Sequence, residues 1–203
     1  MAERPTTPHI ARIVPTRRNL ETIVSLTNAD LQTSGLSPEE AAQLADPQNN
    51  QHLETQRRKL LLHPARYLGA FASSRFGNEL KGFIKYNEWR AADELPYAEA
   101  AEARLLKDMI AAEKHHLAGR PIGIFALCVA SSLSQDAQPR FASALLHSVL
   151  EKFSDKEFRI GAPAEDPLVP LLRSYRFEPT GRRGGPISGI SQELYIRPPI
   201  RSV

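Results

Sequence analysis

The sequence is poor in the features that mark several classes of protein. Its 203 residues contain one cysteine, Cys128, so an intrachain disulfide framework is excluded, and a lone thiol inside an apolar run fits a reducing compartment. No apolar run approaches the roughly 20 residues that a membrane helix needs. The chain also lacks a basic start followed by an apolar stretch, so a cytoplasmic protein with no membrane partner is expected. Neither sign of charge dominates: 26 Lys and Arg stand against 23 Asp and Glu, for a net +3. Basic residues adjoin one another at Arg17-Arg18, Arg57-Arg58-Lys59 and Arg182-Arg183. They have no interleaved aromatics and no recognisable module around them, so no nucleic-acid partner is expected. His115-His116 have no cysteines or acids at ligand spacing, and no metal site is expected. No internal repeat is visible.

What is present is organised around Pro121 to Phe153, PIGIFALCVASSLSQDAQPRFASALLHSVLEKF. Ile122 to Ala130 is unbroken apolar sequence, suited to a central strand buried on both faces. After the polar interval Ser131 to Gln138, residues Phe141, Ala142, Leu145, Leu146, Val149, Leu150 and Phe153 recur at three- and four-residue spacings. Pro139 falls where a first helical turn tolerates it. The reading is strand, loop, amphipathic helix. The free N–H groups at the start of such a helix can hold the phosphates of a nucleotide-like ligand, although a crossover that binds nothing has the same pattern.

Around this unit, His9 to Val14 is expected as a first strand. Thr16 is expected to cap a helix bearing Leu20, Ile23, Val24, Leu26 and Thr27, which either continues through Asn28 to Leu36 or breaks near Gly35. Ser37-Pro38-Glu39-Glu40 has the order of a helix start, and Leu53 to Leu61 supports a further helix. Tyr67 to Ser73 and Leu80 to Trp89 flank Gly77-Asn78 and predict an antiparallel hairpin. The second run alternates poorly, which implies a bulge near Tyr86 or a strand buried on both faces. Ala91 to Leu117 is helix-forming, above all from Ala98 onward. Phe158 to Ala162 reads as a short buried strand, Asp166-Pro167 as the start of a short helix through Leu172, Arg182 to Ser188 as a glycine-rich basic loop, and Gln192 to Arg197 as the last strand.

This order of elements resembles the GNAT superfamily of acyl-CoA-dependent N-acetyltransferases. The residues that carry the resemblance are Leu127-Cys128-Val129, similar to the end of that family's central strand, Arg140 to Leu146, similar to its pyrophosphate loop and helix, and Leu171 to Gly181, similar to its terminal helix and aromatic turn. The resemblance spans His9 to Pro198 and implies an α/β fold with a mixed, mostly antiparallel, splayed sheet flanked by helices. It implies a single domain over 9–198 with a helical insertion near 91–118, between a flexible N-terminus at 1–8 and a tail at 199–203. It further implies acetyl-CoA as cosubstrate. Main-chain groups of Leu127, Cys128 and Val129 would meet the pantetheine arm, and N–H groups of Arg140, Phe141, Ala142 and Ser143 the pyrophosphate, with charge-assisted bonds from Arg140.

The sequence departs from that pattern in ways that bear on chemistry. The first glycine of the family's loop is replaced by Arg140. Phe125, Ala126 and Leu127 supply no acid or base on the central strand, and Leu172 stands where many members have a tyrosine. Tyr175 and Glu88 are therefore the expected catalytic residues, with His115, His116 and Asp136 as further candidate bases. The function expected is transfer of acetyl from acetyl-CoA to a primary amine of a small molecule or protein, by direct attack in a ternary complex, with a homodimer as a candidate assembly. The competing expectation is a degenerate domain that binds acyl-CoA or a protein partner without transfer. The insertion is expected to cover the acceptor side, where Glu94, Glu99, Glu102 and Asp108 would either attract a cationic amine or only solvate a helix face.

Overall fold

A computed structural model describes residues 7–33, 50–63, 66–74, 77–98, 100–112, 119–184 and 191–200. Its elements are β1 (His9–Arg12), α1 (Arg17–Thr33), α2 (Asn50–Leu62), β2 (Tyr67–Ser74), β3 (Gly77–Glu88), α3 (Ala91–Glu94), a 3₁₀ turn at Leu95–Tyr97, α4 (Ala100–Ala112), β4 (Ile122–Val129), α5 (Ala137–Lys152), β5 (Phe158–Pro163), α6 (Val169–Ser174), β6 (Glu178–Gly184) and β7 (Gln192–Arg197). The strands pair in the order β1-β2-β3-β4-β5-β7-β6. The β4–β5 pair is parallel, and the β1–β2, β2–β3, β5–β7 and β6–β7 pairs are antiparallel. The expected fold class, a mixed and mostly antiparallel sheet flanked by helices, is the one observed. β4 is its middle strand, as its unbroken apolar sequence requires.

The chain forms two compact units, Met1–Lys85 with Ala126–Lys152 and Tyr86–Phe125 with Phe153–Val203. Each is built from two separate stretches of chain, so no single cut in the sequence divides them.

In the first unit, Thr16 caps α1 as expected, its Oγ1 accepting the Asn19 N–H at 3.3 Å. Leu20, Ile23, Val24 and Leu26 line the buried face of this helix and join Leu53 and Leu60 of α2, Phe71 of β2, Phe83 of β3 and Cys128 of β4 in one core. α1 continues to Thr33; Gly35 and the Ser37 helix start lie outside the described residues. The hairpin is present, with Ser74 paired to Gly77. Gly77 opens β3 at φ 106°, a conformation that favours glycine. A bulge falls between Ala70 and Phe71, where Lys81 has no partner on β2. The expected burial on both faces holds: Gly82, Phe83 and Ile84 are buried in succession.

α5 buries Phe141, Ala142, Leu145, Leu146, Val149 and Leu150. Each such aliphatic or aromatic side chain contributes at most about 1.5–3 kcal/mol by leaving water. Phe153 lies past the end of this helix and in the second unit, where its ring meets Tyr86 edge-on at 5.7 Å.

In the second unit β5 pairs with β4 at Ile122↔Phe158, Gly123↔Arg159 and Ile124↔Ile160, and with β7 along its whole length. The segment Arg182 to Gly184, expected as a loop, is the end of strand β6, with Arg183 opposite Glu193 and Gly184 opposite Gln192. β6 is an edge strand whose side chains are exposed up to Gly184, so it has no hydrophobic alternation by which a sequence could show it.

Candidate functional site

Two regions have the chemistry of a site, one in each unit. In the first unit the region is the end of β4 and the start of α5. Beyond Ile124 the parallel ladder stops, while β4 runs on to Val129. The Ala130 N–H donates to the Lys81 carbonyl at 2.7 Å, and the Trp89 N–H to the Pro121 carbonyl at 2.7 Å. Pro121 to Ala130 is one residue longer than Lys81 to Trp89, so β4 carries one extra residue relative to β3. The Cys128 carbonyl lies 2.8 Å from the position that a Cβ on Gly82 would take. A side chain there would push β4 away, and the carbonyl of Cys128 faces β3. Leu127 lies past the last residue of β4 that pairs with β5. The Leu127 and Cys128 side chains are buried and the Val129 side chain is partly buried, which leaves main chain as the means of contact at this strand end.

At the start of α5 the Ser134 carbonyl accepts the N–H groups of Ala137 (2.9 Å) and Gln138 (3.1 Å), and the Gln138 side chain donates to the Leu133 carbonyl at 3.0 Å. Pro139 has no N–H to offer. Because the helix begins at Ala137, the N–H groups of Phe141, Ala142 and Ser143 point to carbonyls one turn back. Phe141 and Ala142 are core residues. Of the four residues expected at the pyrophosphate, Arg140 is the one with an exposed, charged side chain. Asp136 is also exposed, directly before the helix, and sets a carboxylate at its positive end.

In the second unit, α6 is opened by Asp166, whose Oδ1 accepts the Leu168 N–H at 2.7 Å. It ends at Tyr175, which is partly buried and donates its N–H to the carbonyls of Leu171 and Leu172 at 3.2 and 3.0 Å. Leu172, at the family's tyrosine position, is fully buried and belongs to the core. Glu88 ends β3 in an exposed position, 3.9 Å from Arg120. His115 and His116 lie outside the described residues. Among the described residues no group of three or more His, Cys, Asp or Glu is placed to hold a metal ion.

One segment of the second unit contributes more than its sequence suggested. Trp89 to Tyr97 lies against three glycines on three strands. A Cβ on Gly123 of β4 would sit 2.6 Å from the Trp89 ring, one on Gly161 of β5 would collide with the Tyr97 hydroxyl, and one on Gly184 of β6 would collide with the Pro96 carbonyl. The bare backbone at these positions lets the segment sit directly on the strands. Asp93 secures the first turn of α3, its Oδ2 accepting the Arg90 N–H at 2.7 Å. Glu94 is thereby carried inward and is 7% exposed, so solvation of a helix face does not describe it. Its Oε1 accepts the Trp89 indole N–H at 2.8 Å and pairs with the Arg159 guanidinium. Its Oε2 has no hydrogen bond among the described residues, and Arg182 stands 3.6 Å away. Arg159 also donates to Glu157 at 2.6 Å. Burial pushes the Glu157 carboxyl up, while that donor favours its charged form. Burial and then the charge of Arg182 lower the Arg159 guanidinium. Burial and then the charge of Asp93 raise the Tyr97 phenol, which stays neutral and donates to Gln192 at 3.3 Å. Phe125 stacks on Trp89 with centroids 5.7 Å apart and planes at 18°. Trp89, Phe125 and Arg159 were not singled out in the sequence. The available signal was the trio of glycines at the ends of apolar or polar runs, which marks a close approach without naming what approaches.

No protein-family model matches the sequence, and no curated protein matches it. Solved structures match along nearly the whole chain. A GNAT-superfamily phosphinothricin acetyltransferase from Sinorhizobium meliloti, in complex with AcCoA, has a TM-score of 0.57 at 12% identity, covering 95% of this chain and 88% of that one. An N-acetyltransferase from Staphylococcus aureus Mu50 has a TM-score of 0.58 at 13% identity, covering 94% and 98%. The PaiA N-acetyltransferase from Thermoplasma acidophilum, in complex with coenzyme A, has a TM-score of 0.56 at 13% identity, also covering 94% and 98%. The fold of this chain is the GNAT fold. Among the described residues, no helix is long and apolar enough to cross a membrane.

Proposed function

We propose that this chain, which has the GNAT fold, is an acetyl-CoA-dependent N-acetyltransferase acting on a primary amine. The observation that carries the reading is β4 itself, which runs to Val129 while its parallel ladder with β5 ends at Ile124. A strand that continues past its parallel neighbour suits the amide groups of a pantetheine arm. Leu127, Cys128 and Val129 are assigned to that arm. At the pyrophosphate the exposed Arg140 side chain acts by charge, since Phe141, Ala142 and Ser143 commit their N–H groups to the helix.

In the reaction the amine lone pair attacks the thioester carbonyl. The C–S bond then breaks, the amine nitrogen loses a proton and the thiolate gains one. The chain supplies orientation and a main-chain N–H near the developing oxyanion. Glu88 and Tyr175 enter the proposal as proton acceptor and proton donor, to be tested as Glu88→Gln and Tyr175→Phe. Retention of full kcat in both would remove them from the mechanism. A cytoplasmic location belongs to the same reading.

The second reading, a degenerate domain that binds without transfer, draws on the buried Leu172 and on the Ser134 carbonyl that occupies the first donors of α5. Calorimetric titration with acetyl-CoA, with desulfo-CoA and adenosine diphosphate as controls, separates the possibilities. Binding that depends on the pantetheine arm, followed by turnover with an amine, is the expected outcome. Binding without turnover across an amine panel favours a degenerate domain that holds acyl-CoA, and no binding to folded protein overturns the acetyltransferase and leaves a domain that binds a protein partner.

A further inference from the structure

We propose that Glu94, Trp89 and Phe125 form a binding site for a cationic group, and that the acceptor is an amine carrying a second positive charge, such as an α,ω-diamine. The acceptor role rests on the acetyltransferase reading; the binding of the cation does not.

The first observation is the carboxylate. Glu94 is 7% exposed and uses Oε1 for both Trp89 and Arg159, while Oε2 has no hydrogen bond among the described residues. A buried carboxylate oxygen without a donor is costly to leave in that state, and a ligand N–H relieves it. The second is the local balance of charge. Glu94, Glu157 and Glu102 are served by the two guanidiniums of Arg159 and Arg182, so the group is short of one cation. The third is the aromatic surface. Phe125 is 41% exposed and lies nearly parallel to Trp89, and the face of such a pair attracts an ammonium or guanidinium.

Arg182 holds the place of the ligand. Its side chain is 49% exposed and reaches Glu94 at 3.6 Å and Glu102 at 4.0 Å, both beyond hydrogen-bond length. The exposed pair with Glu102 contributes little, and at 3.6 Å Arg182 makes no hydrogen bond to Oε2, so it yields to a cation that bonds Oε2 directly. An alternative role, in which the cluster only fastens the insertion to the strands, requires no exposed aromatic face and makes Arg182 a stabilising partner rather than a competitor.

Trp89 is the single tryptophan of the chain, so its emission reads the site without a label. The protein is titrated with 1,5-diaminopentane, and separately with 1,5-pentanediol and glutarate as neutral and anionic controls of the same length. A saturable change with the diamine and none with either control is expected. Glu94→Gln should weaken the diamine about tenfold or more, the loss expected for a charged hydrogen bond. Phe125→Leu, at an exposed position that leaves the fold intact, should weaken it about threefold by removing the aromatic face. Arg182→Ala should tighten it about threefold by removing the competitor, an effect that a purely structural cluster does not produce. The proposal is overturned if the diamine gives no saturable response, or if Arg182→Ala leaves the affinity unchanged or weakens it. Calorimetry with acetyl-CoA is run on the same protein. A diamine response without acetyl-CoA binding overturns the acetyltransferase reading and keeps the cation site, and the reverse result does the opposite.

Discussion

Phe177 donates its backbone N–H to the carbonyl of Leu172 at 3.0 Å, closing a turn in which Arg176 also donates to Arg173 at 2.9 Å. This is a Schellman motif with its apolar contact residues, Leu172 and Phe177, both buried. Its left-handed position, φ 64°, is held by Arg176 where glycine is the usual occupant. Arg176 also lies close enough to the buried Arg197 to lower that guanidinium, second only to burial itself.

The first prediction follows from that turn. Arg176→Gly removes the Cβ strain of a left-handed residue and a like charge beside Arg197, against the greater unfolded-state freedom of glycine. A net gain of about 0.5–1 kcal/mol is expected from these opposing effects. Urea denaturation of the two proteins checks it, and a lower midpoint for the variant contradicts it.

A second prediction concerns the seat of Trp89 to Tyr97. Gly161→Ala places a methyl where the Tyr97 hydroxyl lies, and overpacking of this kind costs about 1–3 kcal/mol. The variant should unfold at lower denaturant and alter Trp89 emission, because Trp89 and Tyr97 rings lie 6.1 Å apart. Gly77→Ala would not mimic the emission change, since nothing lies within 4 Å of a Cβ there.

Acetyl-CoA affinity is the subject of the third prediction. Arg140→Glu should weaken it by about tenfold or more, as loss of a charged contact predicts. Asp136→Asn should strengthen it by about two- to fivefold, by removing a carboxylate that competes with phosphate at the start of α5. Calorimetry reads both. Equal affinities in all three proteins would sever the helix start from the cosubstrate.

Lys85 supplies the fourth. Burial, then the charges of Lys59 and Arg66, lower its ammonium below the ordinary lysine value. A lysine depressed in the folded state binds fewer protons there than in the unfolded chain, so it detracts from stability below its folded pKa. The penalty fades as pH rises from the folded to the unfolded value. Lys85→Met should therefore raise the urea midpoint at pH 7, with a gain that shrinks as pH climbs toward that of a free lysine. A gain that is constant with pH would point to packing alone.

The sequence by itself determined the elements whose periodicity is set by a single buried face. The α5 positions Phe141 to Leu150, the Thr16 cap, the apolar run of β4 and the hairpin were all legible because local spacing decides which side leaves water. Their order, together with the residues Leu127 to Val129, Arg140 to Leu146 and Leu171 to Gly181, carried the resemblance to the GNAT superfamily. Tertiary structure alone decided the rest. β6 is an exposed edge strand of polar residues, held by pairing with β7 rather than by burial, so composition could not reveal it. Phe141 and Ala142 sit inside the helix because its start is fixed by the Ser134 carbonyl, a contact without a periodic signature. Glu94 reads in sequence as one of several acids on a solvated helix. It became a buried carboxylate because Gly123, Gly161 and Gly184, distant in sequence, lie on three strands of one sheet and leave room for Trp89 to Tyr97 to settle on bare backbone.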